Sequence, residues 1–182
     1  MGDRLSGESA MRPTYLDVVN RLELLRLLAK FDPLVIGTPP LGIATQSSDI
    51  DIACSAADVD SFAHVARIAF GGAKSFSIRT IDHLRHPAII ASFVAMDWEI
   101  EIFCQQTATE NQLGVRHFRI EEKLLALRPH LREQIVDLKQ GGMKTEPAFA
   151  RVLGLTGDPY QALLHLEALS DEQLEDLPDA PT

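Results

Sequence analysis

The chain has 182 residues, 46% of them hydrophobic, and a formal net charge of −9 with a pI near 5.1. Its length and composition are typical of one globular domain, alone or with a small helical annex. The acidic balance argues against non-specific binding to a nucleic-acid backbone, which requires a basic surface. No apolar run approaches the length of a membrane span. The two cysteines, Cys54 and Cys104, favour a cytoplasmic protein with buried thiols over a disulfide-bonded one.

The two ends of the chain are predicted to be poorly ordered. Residues 1–14 lack an apolar core, so we expect a flexible arm there and no signal peptide. A helix is predicted from Tyr15 to about Lys30, because apolar residues recur there at helical spacing. Residues 171–182 are acidic, include two prolines and show no apolar periodicity, which predicts a disordered tail.

The apolar run Leu34–Ile36 predicts a buried strand that ends at Gly37. A glycine at the end of a strand allows backbone N–H groups to come close to a phosphate. The hydroxyl of Thr38, which follows, can donate a hydrogen bond to the same group. Gly37 and Thr38 are therefore a candidate phosphate site.

A pair of aspartates follows on the next predicted strand. Asp49 and Asp51 alternate with isoleucines, so the strand period places both carboxylates on one face. The two carboxylates repel each other, and neither has a basic neighbour in the sequence. Oxygen ligands of this kind suit magnesium or manganese. The alternative is a half-buried edge strand with two solvated aspartates.

The middle of the chain predicts a helix and two further strands. The helix is expected within residues 55–71, and the strands over Lys74–Arg79 and Ala88–Ala95. The connection between these strands contains His83 and His86. We expect an exposed turn there rather than a metal site.

A third acidic group is expected on the strand predicted over Met96–Phe103. Asp97, Glu99 and Glu101 alternate with apolar residues and fall on one face. Acidic side chains in an apolar strand are costly unless they are solvated or bound to a metal. Glu101 is the preferred third ligand because it lies deeper in the apolar run, and Glu99 is the second choice. If this face is simply solvated, all three are surface residues.

The second half of the chain is predicted to be helical and adds two basic candidates. Gln112 and Arg116 lie one turn apart and share a helix face. Arg116 follows the third acidic strand closely, so it can neutralise a phosphate in the same cleft, or it is a surface arginine. Lys144 lies just before a helix expected to have Thr145 as its cap. It is a candidate phosphate contact, and a solvated lysine is the alternative.

The spacing of these motifs resembles a known signature. Gly37-Thr38, ten intervening residues and Asp49-Ile50-Asp51, with an acidic residue on a later strand, resemble the polymerase-beta-type nucleotidyltransferase superfamily. The implied architecture agrees with the predicted elements. Both give an α+β fold, a nucleotidyltransferase-type mixed β-sheet with packed helices and a C-terminal helical region.

Further segments resemble, more narrowly, a small bacterial nucleotidyltransferase-like family of unknown function. They lie between about Val19 and about Leu164 and comprise Glu99–Phe103, Gln105, Gln112, Arg116–His117, Lys144–Ala150, Leu153–Leu155 and Gly157–Tyr160. One position departs from the pattern, since Cys104 stands where a glycine is expected after the strand.

The resemblance implies a metal-dependent enzyme that moves a nucleoside monophosphate from a nucleoside triphosphate, with ATP as the expected donor, to an unidentified hydroxyl. Asp49 and Asp51 would hold two Mg²⁺ or Mn²⁺ ions, and Glu101 (or Glu99) would complete the second ion site. The nucleotide-binding residues would be Gly37, Thr38, Arg116 and Lys144. The implied division is a nucleotidyltransferase-like core over 15–107 and a helical region over 108–170 of the same compact unit. A non-catalytic nucleotide sensor and a partner-binding module, such as an antitoxin or scaffold, are the alternatives.

Overall fold

The computed structural model describes residues 12–82 and 87–180. Most of the predicted N-terminal arm lies outside these ranges, as do His83 and His86. The last three residues of that arm are in contact with the rest of the protein. The Pro13 carbonyl accepts a hydrogen bond from Trp98 Nε1 at 2.8 Å, and Thr14 caps the first helix through a reciprocal capping box with Asp17. The flexible arm predicted over 1–14 is therefore wrong for residues 12–14.

A mixed five-stranded sheet organises the first half of the chain. Its strands are β1 (Leu34–Ile36), β2 (Ile50–Ser55), β3 (Lys74–Ile81), β4 (Ala88–Ala95) and β5 (Trp98–Gln105). The spatial order is β1-β2-β5-β4-β3. Strands β2 and β5 are parallel, whereas the other neighbouring pairs are antiparallel. The predicted α+β fold with a mixed sheet is confirmed.

Helices pack on this sheet and make up most of the second half. In chain order they are α1 (Tyr15–Arg21), α2 (Leu24–Leu27), α3 (Thr38–Leu41), α4 (Val59–Phe70), α5 (Leu113–Leu127), α6 (Leu131–Gln140), α7 (Thr145–Val152), α8 (Pro159–His165) and α9 (Asp171–Glu175). The N-cap of α7 is Lys144, one residue before the predicted cap. The loop predicted after Gly37 contains the short helix α3, whose first turn accommodates both prolines.

The single helix predicted over 15–30 is wrong. It is divided at Glu23, which adopts a left-handed conformation with φ 50°, and ends in a 3₁₀ turn over Ala29–Phe31. The apolar residues still point to one side because each short segment buries its own leucines or valines against the sheet. Hydrophobic spacing records burial and is insensitive to such a local break.

The strand predicted over Met96–Phe103 begins two residues later than expected. Met96 and Asp97 both have positive φ and form the two-residue turn between β4 and β5, in which Ala95 pairs with Trp98. Turns of this hand match the twist of an antiparallel hairpin. Asp97 therefore lies in the turn and does not share the strand face with Glu99 and Glu101.

Two groups of buried apolar residues stabilise the fold. The first, here called the sheet cluster, joins one face of the sheet to α1, α2 and α4. It includes Cys54 and Cys104, which are neighbours in the β2–β5 register, completely buried and free. The second, here called the helical cluster, joins α3 to helices α5 to α9.

The disordered tail predicted over 171–182 is wrong for residues 171–180. Ser170 caps α9 with a reciprocal capping box, and Leu174 is completely buried in the helical cluster. Asp179 pairs with the buried Arg128, and the Ala180 amide donates to the Val152 carbonyl at 2.8 Å. Composition missed this segment because one buried leucine in a single helical turn gives no periodicity.

None of the helices within the described ranges combines the length and the apolar character that crossing a membrane requires.

Candidate functional site

The parallel pairing of β2 with β5 brings two of the predicted acidic residues together. Asp51 is the register partner of Glu101 on one side and of Ile36 in β1 on the other. Asp49 immediately precedes β2. The neighbouring isoleucines point into the sheet cluster, so the carboxylates point to the opposite face.

Gly37 lies directly against the carboxylate of Asp51. Its backbone has φ 78° and ψ −162°, a region that is essentially restricted to glycine. A Cβ atom built on Gly37 would lie 2.5 Å from Asp51 Oδ2, which is closer than a real Cβ contact allows. The turn at Gly37 and Thr38 therefore approaches the aspartate pair as closely as it does because the residue has no side chain.

The loop that leads to Asp49 is held by a hydrogen-bond network around Ser48. The Ser48 hydroxyl accepts hydrogen bonds from Thr38 Oγ1 and from the Thr45 amide, both at 2.9 Å. Arg12 donates to the carbonyls of Ser48 at 2.8 Å and Gln46 at 2.9 Å. These contacts fix the backbone immediately before Asp49.

The guanidinium of Arg12 also stacks on the indole of Trp98, at 3.4 Å from the ring centroid. Arg12 thereby links the loop before Asp49 to the start of β5. Sequence reasoning missed this residue because it falls in a segment that composition predicts to be flexible. No pattern in the sequence joins positions 12, 48 and 98.

A cavity of about 560 Å³ opens between the carboxylate face of the sheet and the helices of the second half. One wall carries Gly37, Thr38, Asp49 and Asp51. The opposite wall is formed by α5, by the end of α6 and by the start of α7. It contributes His117, Glu121, Lys139, Lys144 and Glu146.

The charges in this cavity perturb one another. Burial raises the pKa of Asp51 to about 7, with further contributions from Asp49, Glu101 and Glu146. Burial also raises the pKa of Glu121 and lowers that of Lys139, and the nearby carboxylates oppose the second shift. Lys139 Nζ donates to Thr145 Oγ1 at 3.0 Å.

Glu121, Lys139 and Glu146 were missed by sequence reasoning. One signal was available for Glu121, because it lies on the apolar face of α5 with Phe118, Leu124 and Leu125. An acid at such a position is buried and therefore unusual. Lys139 and Glu146 carry no comparable signal, since each looks like an ordinary residue at a helix end.

The other predicted residues have mixed placements. Lys144 lines the cavity, as expected. Arg116 does not, because its guanidinium pairs with Glu167 on the far side of α5. Glu101 pairs with Arg79 at 3.0 Å, and Glu99 is exposed.

The paired aspartates supply part of the coordination shell that a divalent ion needs. Asp49 and Asp51 offer the oxygen donors that magnesium and manganese prefer, and the like charges around Asp51 are the kind that a cation relieves. Within residues 12–82 and 87–180, no group of three or more acidic, histidine or cysteine side chains is arranged to hold a metal by itself. The aspartate pair therefore fits an ion that completes its coordination with Glu101, substrate oxygens or water.

Comparison with known families and structures gives one family and one fold. The model of a family described as Domain of unknown function (DUF4269) matches residues 17–166. A search of the curated proteins found no match.

Two solved structures illustrate the fold. A Cid1 poly(U) polymerase with MgGTP bound is 16% identical, with a TM-score of 0.53, over 81% of this chain and 46% of that chain. A GLD-2/RNP-8 complex is 15% identical, with a TM-score of 0.51, over 76% of this chain and 54% of that chain. This chain thus spans about half the length of the structures it matches. At these identities the likeness shows the fold alone, an α+β fold with a nucleotidyltransferase-type mixed sheet.

Proposed function

We propose that this chain, which belongs to the DUF4269 family, is a metal-dependent nucleotidyltransferase. In the proposed reaction an acceptor hydroxyl loses its proton to solvent, and its oxygen bonds to the α-phosphorus of a nucleoside triphosphate. The bond from the α-phosphorus to the bridging oxygen breaks, and pyrophosphate leaves. We further propose that DUF4269 is the small bacterial nucleotidyltransferase-like family that the sequence resembles.

The observation that carries this proposal is the contact between the Gly37 turn and Asp51. A phosphate cradle and a pair of acidic metal ligands must lie next to each other for nucleotidyl transfer. Here Gly37 lies so close to Asp51 that a Cβ atom at Gly37 would collide with Asp51 Oδ2. Both residues line the same cavity as Asp49. Because the fold is also of the nucleotidyltransferase type, this combination favours nucleotidyl transfer over other uses of paired aspartates.

The residues of the chain would act mainly by positioning and by neutralising charge. Asp49 and Asp51 would hold the metal. When bound, a divalent ion supplies charge neutralisation at the phosphate oxygens and lowers the pKa of an acceptor hydroxyl. The backbone at Gly37 and Thr38 would bind the outer phosphates, and Lys144 on the opposite wall would contact them. Arg116 has no part in this site, because it lies outside the cavity.

Glu101 remains the proposed third carboxylate. It is the direct neighbour of Asp51 in the parallel register, whereas Glu99 is two residues further from that pairing. Its partner Arg79 is 62% exposed, and such ion pairs contribute about 0–1 kcal/mol. Glu101 can therefore leave Arg79 at little cost when a metal is present.

A non-catalytic nucleotide sensor is the second candidate. The observation that favours it is the pairing of Glu101 with Arg79, which gives the third carboxylate a cationic side chain as its partner instead of a metal. A sensor would bind nucleotide at the Gly37 turn and release no pyrophosphate. Product release, rather than binding, therefore separates the two functions.

The first experiment is a thermal-shift screen with the four ribonucleoside triphosphates, each with magnesium, with manganese and with chelator. The proteins compared are wild type, the double variant Asp49→Ala/Asp51→Ala, and Asp137→Asn, an exposed acid outside the cavity. We expect a metal-dependent rise in melting temperature with at least one nucleotide. The rise should persist in Asp137→Asn and disappear in the double variant.

Pyrophosphate release completes the test. Asp49→Asn should abolish turnover and still fold, because a partly exposed carboxylate before a strand contributes little to the core. Retained turnover in Asp49→Asn would contradict the assignment. No thermal shift under any condition would instead support a partner-binding module, in which the carboxylates are only surface charge.

The proposed function also includes an acceptor class, a donor, a location in the cell and a division of the chain. The net charge of −9 disfavours a long polynucleotide as acceptor, unless a local basic patch receives it. ATP is the proposed donor. Two completely buried thiols are consistent with a cytoplasmic location. Residues 15–107 are the proposed catalytic core, and residues 108–170 the helical part of the same unit.

A further inference from the structure

Glu121 is a buried acid on the wall of the cavity, and one of its carboxyl oxygens has no hydrogen-bond partner among the described residues. Its exposed fraction is 4%, and the oxygen in question is Oε1. The nearby Lys139 directs its ammonium to Thr145. An unsatisfied buried acceptor costs about 1–3 kcal/mol, and more when it is charged. A ligand that brings a donor to Glu121 would remove this cost.

Helix α5 crosses the cavity from the phosphate end to Glu121. Gly114 lies against Ile36, the register neighbour of Asp51. Glu121 lies seven residues further along, at about 10.5 Å for a rise of 1.5 Å per residue. His117 and Phe118 line the cavity between them. One helix face therefore presents a small residue near the phosphate site, aromatic rings in the middle and a hydrogen-bond acceptor at the far end.

The order of these groups along α5 matches the order of the parts of a nucleotide. The phosphates would lie at Gly37, the ribose and the base would pass the aromatic residues, and the edge of the base would reach Glu121. Ribose hydroxyls are donors too, but they lie close to the α-phosphate and therefore nearer to Gly114 than to Glu121. The polar group expected at the far end is an N–H of the base.

Resting on the proposed function, we propose that Glu121 is a specificity-determining residue that accepts a hydrogen bond from the exocyclic amino group of the donor nucleobase. Adenine, cytosine and guanine carry such a group. Uracil presents a carbonyl oxygen in place of the amino group of cytosine, so two acceptors would face each other. Burial raises the pKa of Glu121, and because a protonated carboxyl can also donate to the uracil oxygen, the preference for the amino group belongs to the ionised form.

Two ligand pairs test the amino group. ATP and purine riboside triphosphate differ only in that group and therefore isolate it. CTP and UTP share ribose and triphosphate and differ at that position and at N3, which carries a proton in uracil but not in cytosine. Calorimetric binding with magnesium should show the amino-bearing member of each pair binding about tenfold tighter to the wild type, the effect of one hydrogen bond. In Glu121→Met, which keeps the bulk and removes the acceptor, the difference should vanish.

Glu146→Gln is the matched control, since it removes a neighbouring acid of the same cavity. It should change the affinity of all the nucleotides alike and keep the preference for the amino group. Glu121→Gln serves as a second variant if the methionine variant fails to fold. Because the amide can both accept and donate, it should narrow the gap by binding UTP more tightly.

The outcomes separate this inference from the proposed function. Equal binding of CTP and UTP by the wild type, or a preference that survives in Glu121→Met, would overturn the role of Glu121. Loss of the preference in Glu146→Gln would show that the preference is a general effect of charge in the cavity. That result would also overturn the role of Glu121. Metal-dependent binding that is abolished in Asp49→Ala/Asp51→Ala, without any amino preference, would leave the proposed function intact. No nucleotide binding at all would remove both.

Discussion

Glu101 and Glu99 differ in register although they lie on the same face of one strand. Glu101 pairs with Asp51, whereas Glu99 pairs only with Val94 of β4 and is exposed. If Glu101 completes the metal site, Glu101→Gln should lower the rate of pyrophosphate release by about a hundredfold or more. Glu99→Gln makes the same change of charge on the same face and should leave the rate within about threefold. Steady-state kinetics with saturating nucleotide measures both.

The reverse pattern would assign the third ligand to Glu99. Equal and small effects would indicate that neither glutamate takes part in catalysis. That result would leave the metal site to the aspartate pair, water and substrate oxygens. Absence of pyrophosphate release from the wild type would instead favour the sensor function.

A second prediction at the scale of one residue concerns Glu121 and the dependence of protein stability on pH. Burial, and then Glu146, raise the pKa of Glu121 in the folded protein, while Lys139 opposes them. The folded state therefore keeps a proton that the unfolded state loses, so the free energy of unfolding falls as pH rises above the unfolded pKa of about 4.5. Glu121→Gln should remove this fall and stabilise the protein at pH 7.5 by about 1–3 kcal/mol.

Urea denaturation at pH 4.0 and pH 7.5 tests this expectation. At pH 4.0 Glu121 is neutral in the folded state and mostly neutral in the unfolded state, so variant and wild type should have similar stability. A destabilised variant at pH 7.5 would show that the ionised carboxylate has a favourable partner. The measurement needs no ligand and is independent of the binding tests.

The site was predictable from the sequence only where its signals are local. Gly37, Asp49 and Asp51 stand within one short segment, in which a glycine after a strand and alternating aspartates each have a physical meaning. Glu121 and Lys139 reach the same cavity from two different helices. Their proximity depends on how those helices pack, and no spacing in the sequence records it.

At the scale of elements, the turn between β1 and α3 depends on Gly37. Gly37→Ala would place a Cβ atom 2.5 Å from Asp51 Oδ2 and force an L residue into a backbone region that costs about 1–3 kcal/mol. We expect lower stability and loss of the nucleotide-dependent thermal shift, because the Asp51 carboxylate must move.

Gly42→Ala is the control for strain alone. Gly42 caps the same helix with φ 71°, and an added Cβ would meet the flexible end of Arg132 rather than the site. This variant should also be less stable, yet keep its response to nucleotide. If both variants lose the response to a similar extent, the two glycines matter for the stability of the turn and the contact of Gly37 with Asp51 has no separate role.

Elements with a long uniform pattern were found by sequence reasoning. Strands β3 and β4 and helix α5 have repeats that continue for at least eight residues. The break at Glu23 and the turn at Met96 depend on single residues with positive φ. Neither residue is a glycine or an asparagine, so nothing in their type announces that conformation.

For the whole molecule, the helical wall of the cavity depends on the end of the described chain. Helices α5, α6 and α7 carry Glu121, Lys139 and Glu146 and pack in the helical cluster, where α9 contributes Leu174. Leu174 is completely buried, although it lies in a segment whose composition resembles a disordered tail. The integrity of the cavity should therefore depend on α9.

Leu174→Ala tests this dependence. Removing a fully buried leucine costs about 2–5 kcal/mol, because the cavity left behind closes only partly. Ile68→Ala on α4 is the control, since Ile68 is 74% exposed and its loss should change stability by less than about 0.5 kcal/mol. Urea denaturation measures both, and the nucleotide-dependent thermal shift reports on the cavity. If Leu174→Ala is as stable as Ile68→Ala, α9 is not packed against the helices in solution. If it is destabilised yet binds nucleotide normally, the helical wall keeps its shape without α9.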